Sequence, residues 1–291
     1  MTTAPTAARP RRLITPRQAQ LCARIILWSA MAVTVAVLVF IILFILRRGL
    51  EHVSWSFLSE PPRSSGRSGG VLPMIVGTVG VVLLGVLVAT PLGVGTAIYL
   101  TEYTRETWIT KVIRFGAECL AGVPSIIFGL FGFVFFVIEL GFGWSILAGG
   151  LTLAFMILPT IIRTSEEAIK AVPFAYRETS LTLGATKWET VRKVVLPSAL
   201  PGILTGVILG IGRSISETAA VIFTAGSSLS QVIPTSLFDG TRTLSVHFYT
   251  LATEGISADK AYATATVLVL TILIINTAAY AIMNRFMRRY R

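Results

Sequence analysis

Arg213 and Glu217 stand in Gly212-Arg213-Ser214-Ile215-Ser216-Glu217-Thr218, inside an otherwise apolar stretch. An ionisable side chain at membrane depth costs roughly 3 kcal/mol or more on insertion scales. Such a residue faces a bundle interior, pairs, or lines a water-filled path. Four residues apart on a helix, the two share one face. Two chemistries fit. Either the pair closes on itself and fixes packing, or Arg213 holds an anion while Glu217 sets its position. A guanidinium fork donates two parallel hydrogen bonds to phosphate-like oxyanions. Arg163, in Leu158-Pro159-Thr160-Ile161-Ile162-Arg163-Thr164, is a further candidate for the same path. A side chain snorkelling at a membrane edge explains it equally well.

A different polarity marks Glu178-Thr-Ser-Leu-Thr-Leu-Gly184-Ala185-Thr-Lys-Trp188 and its continuation to Leu196-Pro197. This charged, helix-compatible segment lies between two apolar runs. Leu196-Pro197 closes it at the lip of the next run. A segment of this form is a handle by which a soluble partner moves a membrane protein. Gly184 permits a turn or a close approach, and Trp188 offers an apolar anchor.

The elements that position these residues follow from composition. Of 291 residues, 54% are hydrophobic and 13% charged, against about a quarter charged in a soluble domain. Apolar runs near the roughly 20 residues of a spanning helix occur at 25–46, 71–101, 119–138, 140–162, about 201–225 and 261–284. Backbone in lipid must satisfy its own hydrogen bonds, and barrel-type alternation is absent. The chain is therefore expected to be an all-α integral membrane protein with six transmembrane helices. Pro91 with Gly93 and Gly95 is expected to break or kink the second span, and Pro124 the third. Gly202, Gly206 and Gly210 form a small-residue ridge for close helix packing.

Eighteen Lys and Arg fall on segments that share a side with the N-terminus, six on the opposite side. The bias places both ends in the cytoplasm of a cell-membrane protein. It divides the chain into a disordered tail (1–24), a first span (25–46), an extracytoplasmic loop (47–70), a core (71–286) with a cytoplasmic loop (163–200), and a cytoplasmic end (287–291). The net charge of +11 largely reflects this bias; no basic stripe with interleaved aromatics indicates nucleic acid. There is no Gly-Lys dipeptide and hence no P-loop. Two distant histidines, His52 and His247, and two cysteines, Cys22 and Cys119, offer no metal site and no disulfide framework. Both histidines are expected on solvated outer loops. Gly66-Arg-Ser-Gly-Gly70 matches a nucleophile-elbow string without its strand–turn–helix context. No residue is assigned a catalytic role.

The segment from Glu178 resembles the "EAA" loop of ABC-importer permeases. An acid is followed six residues later by Gly184, and Leu196-Pro197 stands in register. Thr179 and Ser180 replace the usual alanines, and Val194 the usual isoleucine. Leu120-Ala-Gly-Val-Pro124-Ser-Ile-Ile-Phe-Gly129-Leu-Phe-Gly132, Thr90-Pro91-Leu-Gly-Val-Gly-Thr-Ala-Ile-Tyr-Leu-Thr-Glu102-Tyr and Gly212-Arg213-Ser-Ile-Ser-Glu217-Thr-Ala look like permease subunits of phosphate importers. Leu158 to Thr164 and Val221-Ile-Phe-Thr-Ala-Gly look more like the PstA-type subunit than the PstC-type. The resemblance covers about residues 70–285. It implies the type I importer permease fold, a second permease subunit (PstC-type), two ATPase copies (PstB-type) carrying ATP and Mg, and an extracytoplasmic phosphate-binding protein (PstS-type). It implies that Glu178, Gly184, Ala185, Trp188, Leu196 and Pro197 couple to the ATPase, and that Arg213, Glu217 and Arg163 serve phosphate passage. A permease for molybdate, tungstate or sulfate, a non-transporting membrane scaffold, and an ATPase-independent transporter remain as alternatives.

Overall fold

The computed structural model describes residues 15–227 and 232–287. The expected features at 1–14 and 288–291 lie outside the described residues. The chain divides into two compact units, residues 1–47 and 48–291.

The first unit, as described, is most of helix α1 (Pro16–Leu50). This helix begins within the expected disordered tail. Thr15 N donates to Gln18 Oε1 at 3.1 Å, and Gln18 N donates back to Thr15 Oγ1 at 3.4 Å. That reciprocal cap, with proline at the first helical position, starts a helix where composition alone suggests none. Between Ile25 and Leu46 the helix carries no charged residue and is apolar on every face, as a span facing lipid must be.

The second unit opens with a short helix α2 (Trp55–Ser59) and a two-residue hairpin, β1 (Pro62–Arg63) with β2 (Ser68–Gly69). These fill part of the stretch expected as a loop. Helix α3 (Leu72–Ile98) continues as π-helix through Tyr99–Tyr103. It passes Pro91 without a break, so of the expected break or kink the break does not occur. Buried neighbours hold it on both sides of the proline, with Ala89 and Ala97 fully inaccessible.

Helix α4 (Trp108–Ala121) meets α5 (Ser125–Gly132) and its π-helical extension Phe133–Glu139 at 101°. The third apolar run is thus cut at Gly122–Pro124, as the missing N–H of Pro124 requires. Helix α6 (Ile146–Lys170) starts later and ends two turns beyond the expected fourth span. Helices α7 (Phe174–Thr182) and α8 (Lys187–Thr190) follow. A π-helical turn, Val191–Val195, then leads into α9 (Leu196–Ser216).

Leu196-Pro197 does not close a loop; it lies inside one continuous helix, Lys187–Ser216. Proline removes an i→i−4 bond and crowds the carbonyl of Lys193. The π-helical turn shifts the ladder at that point and accommodates it. The expected loop 163–200 is therefore almost wholly helical. Helices α10 (Ala219–Thr224), α11 (Leu244–Thr253) and α12 (Ala258–Met287) complete the chain.

Among the described residues, five helices are long and apolar enough to span a membrane, or six if the bent α4–α5 pair is one span. The fold is all-α. Helix α6 lies at its centre. Its Leu153, Met156, Ile157 and Ile161 join Val81 and Ala89 of α3, Ile215 of α9 and Val246 of α11 in one core. A second cluster, Ala97, Ile169, Val172, Val195, Ala199 and Ile203, fills the end nearest α7. A third, around Phe57, Met74, Leu244 and Val267, fills the end nearest α11.

Candidate functional site

Helix α9 runs against α6 on its glycines. A β-carbon on Gly202 would stand 2.5 Å from Ala168 Cβ, and one on Gly206 would collide with Thr164 Oγ1. Gly210 is different. Its nearest neighbour would be Ile157 Cδ1 at 3.6 Å, an ordinary contact. Two of the three glycines thus set the approach. The pairing of Gly206 with Thr164 also fixes the level of the charged residues. Arg213 lies about 9 Å along the helix axes from the level of Arg163, at 1.5 Å per residue.

Arg213 is half-buried and in the last turn of α9. Among the described residues it makes no ion pair and no side-chain hydrogen bond. Glu217 is not on the same helical face, contrary to expectation. Helix α9 stops at Ser216, and Glu217 is extended (φ −71°, ψ 128°). Its Oε1 accepts from Ala220 N at 3.3 Å, so the carboxylate caps the start of α10. The expected fifth span, 201–225, is therefore two helices with a break beside Arg213.

Polar groups without partners gather on the elements around this break. Among the described residues, Ser214 Oγ on α9 and Asn276 Oδ1 on α12 are buried and unbonded. Asn276 lies 3.7 Å from where a β-carbon on Gly212 would stand. Sequence reasoning missed Asn276. Its signal is an amide in the middle of the apolar run 261–284.

Arg163 is elsewhere. It is 71% exposed and pairs with Glu167 one turn on, at 3.3 Å. It lines a cavity of about 250 Å³ between α4 and α6, with Arg114, Glu118, Glu166, Glu167 and Lys170. Glu166 holds Arg114 and Lys170 there, each at 2.7 Å. The structure does not bring Arg163 together with Arg213.

The α7–α8 hairpin presents the other sequence candidates. Gly184 has φ +85°, and a β-carbon added to it would meet no atom within 4 Å. The glycine is required by the turn, not by a close approach. Ala185 N donates to Ser180 O at 3.2 Å, closing that turn. Thr186 and Glu189 cap α8 reciprocally. Glu178 is exposed and unpaired among the described residues. Trp188 is 58% and Leu183 83% exposed, beside exposed Phe174 and Leu181. These four exposed apolar side chains stand on a hairpin whose turn and helix start are both fixed by backbone hydrogen bonds and caps. Behind it a cleft of about 620 Å³ opens between α7, α8 and the end of α3.

His247 is not on a solvated loop; it is 2% exposed. Its ring lies against the turn at Gly66. Burial first, and the nearby Arg242 second, lower its pKa to about 4. Arg242 is itself buried, and its Nε and Nη2 donate to the carbonyl of Ser227. No cluster of three or more metal-ligating side chains occurs among the described residues.

A broken span beside an unpaired arginine, glycine-seated helices and an exposed helical hairpin together define a multi-pass membrane transport subunit. Residues 89–291 match the family model for the binding-protein-dependent transport system inner membrane component, and the chain belongs to that family. It is 34% identical over 262 residues to the probable ABC transporter permease protein YqgI of Bacillus subtilis, covering 85% of this chain and 89% of that one. It is 35% identical over 227 residues to the phosphate transport system permease protein PstA 1 of Mycobacterium tuberculosis, covering 77% of this chain and 73% of that one. A crystallised bacterial alginate ABC transporter shares the fold at TM-score 0.65 and 15% identity, over 93% of this chain and 98% of its own. The protein is a PstA-like permease of the ABC-importer class, a transport subunit in a cell membrane.

Proposed function

We propose that this chain is one of two permease subunits of an ATP-driven importer of inorganic phosphate. The observation that carries the reading is the half-buried guanidinium of Arg213, without an ion-pair partner at the break between α9 and α10. A half-buried cation without a protein partner at membrane depth is a place for an anion to visit. The naming of relatives as phosphate permeases supports phosphate as that anion. Glu217 keeps the chain broken at this point by capping α10, and so positions the arginine. Ser214 and Asn276 stand ready as neutral polar partners.

In this reading both termini and the α7–α8 hairpin are cytoplasmic. A binding protein of PstS type delivers phosphate at the α11 end. A PstC-type permease completes the path, and a pair of PstB-type ATPases carries ATP and magnesium. The ATPases dock on Glu178, Trp188 and the exposed apolar residues around Gly184. Their closure moves α9 through the continuous helix that begins at Lys187. This chain performs no chemistry itself. Arg163, paired and distant from Arg213, acts at the cytoplasmic exit of the path.

The test is uptake of radiolabelled phosphate by cells lacking their own high-affinity system and expressing the four components. Uptake that resists excess sulfate and molybdate supports phosphate. Preferential uptake of either competitor transfers the same architecture to that oxyanion. Assembly without uptake of any of them would leave a scaffold.

A further inference from the structure

The geometry points to Arg177 as the joint through which the hairpin is coupled to the spans, with Glu102 as its anchor. This inference rests on the permease reading above. Helix α7 buries none of its residues, so apolar packing does not fix it to the bundle. Instead, one guanidinium on α7 ties together three elements. Arg177 Nη2 and Nε donate to Glu102 Oε1 at 2.7 and 3.0 Å. Nη1 donates to the carbonyl of Val172 at 2.7 Å, and Nη2 also to that of Ile169 at 2.9 Å. Glu102 belongs to the end of α3. Ile169 and Val172 are at the end of α6, where a cation also complements the helix dipole.

The pair is shielded, with side chains 15% and 9% exposed. Charge-assisted bonds held this far from water are directional and resist sliding. A second contact falls one residue further along α3. Lys187 Nζ of α8 lies 5.2 Å from the centre of the Tyr103 ring. Ser180 and Thr190 bond α7 to α8 at 2.9 Å. The hairpin thus grips the π-helical segment Tyr99–Tyr103 at two adjacent residues, across the cleft of about 620 Å³. A π-helical turn is a common site of functional strain in a helix. Force applied to α7 reaches α3 through Arg177 and the Lys187–Tyr103 contact, and α6 through Arg177 and the short chain link 171–173.

Arg177 is therefore a positioning residue, and its loss should uncouple rather than unfold. The test uses the whole complex in proteoliposomes and reads anion moved per ATP hydrolysed, with pull-down of the ATPase as control. Glu102→Gln keeps the shape of the anchor and removes its charge. Arg177→Gln removes the donor fork, and Arg177→Lys keeps the charge with fewer donors. The expected result is a fall of at least about fivefold in anion moved per ATP in both glutamine variants, the lower bound of ordinary coupling between sites. Arg177→Lys should retain an intermediate ratio. An unchanged ratio in Glu102→Gln and Arg177→Gln overturns the proposal. So does a parallel loss of uptake and hydrolysis with loss of the ATPase from the pull-down. If the wild-type complex moves another oxyanion, the phosphate reading fails in the wild type alone, and the ratio measured with that anion still decides the joint.

Discussion

Ser245 Oγ of α11 donates a 2.7 Å hydrogen bond to the backbone carbonyl of Glu217. This carbonyl lies where α9 ends at membrane depth. Ser245 is itself buried, at 2% exposure. The serine takes the place of the next helical N–H and lets α9 stop beside Arg213.

Ser245→Ala should therefore destabilise the protein by about 1–3 kcal/mol, the cost of leaving a buried acceptor unbonded. Thermal unfolding in detergent measures it. An unchanged melting temperature would mean that the break at Glu217 is held by something else.

The glycine ridge is uneven. Gly206→Ala places a methyl against Thr164, and overpacking of this kind costs about 1–3 kcal/mol. Gly210→Ala meets only ordinary contacts and should be near neutral. Equal melting temperatures for the two variants would contradict the seating of α9 on α6 through Gly206.

Gly184→Ala should strain the hairpin by about 1–2 kcal/mol, because only the left-handed backbone is at issue there. Gly184→Asn, which tolerates that conformation, should retain more of the pulled-down ATPase than Gly184→Ala. If both lose the ATPase equally, the glycine matters for contact and not for its turn.

His247 carries a pH dependence of definite sign. Its folded pKa of about 4 lies below the ordinary 6.5. Between those values the unfolded chain binds the proton and the folded chain does not, so stability rises with pH. The full contribution is present above pH 6.5 and is lost progressively toward pH 4. The loss approaches about 3 kcal/mol across that window. Comparing melting at pH 7 and pH 5 for wild type and His247→Gln measures it. The variant should lose less stability on acidification than the wild type.

The spans were legible because lipid demands long apolar runs, and α12 falls almost where its run lies. Pro124 announced the bend between α4 and α5. The break after Ser216 was not legible, since neither Pro nor Gly stands between Gly212 and Gly226. Ser245, which bonds the carbonyl freed there, is 28 residues away. Arg177 and Glu102 are 75 residues apart, so no local pattern joins them. The start of α1 was legible in Thr15 and Gln18 as a capping box, but the Pro- and Arg-rich composition around them obscured it. His247 was misplaced because its position in a loop between spans says nothing of the turn at Gly66 that covers it.

The proposed transport function rests, above all, on Arg213 meeting the transported anion. The most direct test is the initial rate of phosphate uptake by the reconstituted complex with wild-type chain or Arg213→Ala, with subunit pull-down alongside. The expected result is a fall of at least about 30-fold, the effect of removing one partner of a desolvated charge pair, with the complex intact. Uptake at the wild-type rate in Arg213→Ala would contradict that role and leave the arginine a packing residue.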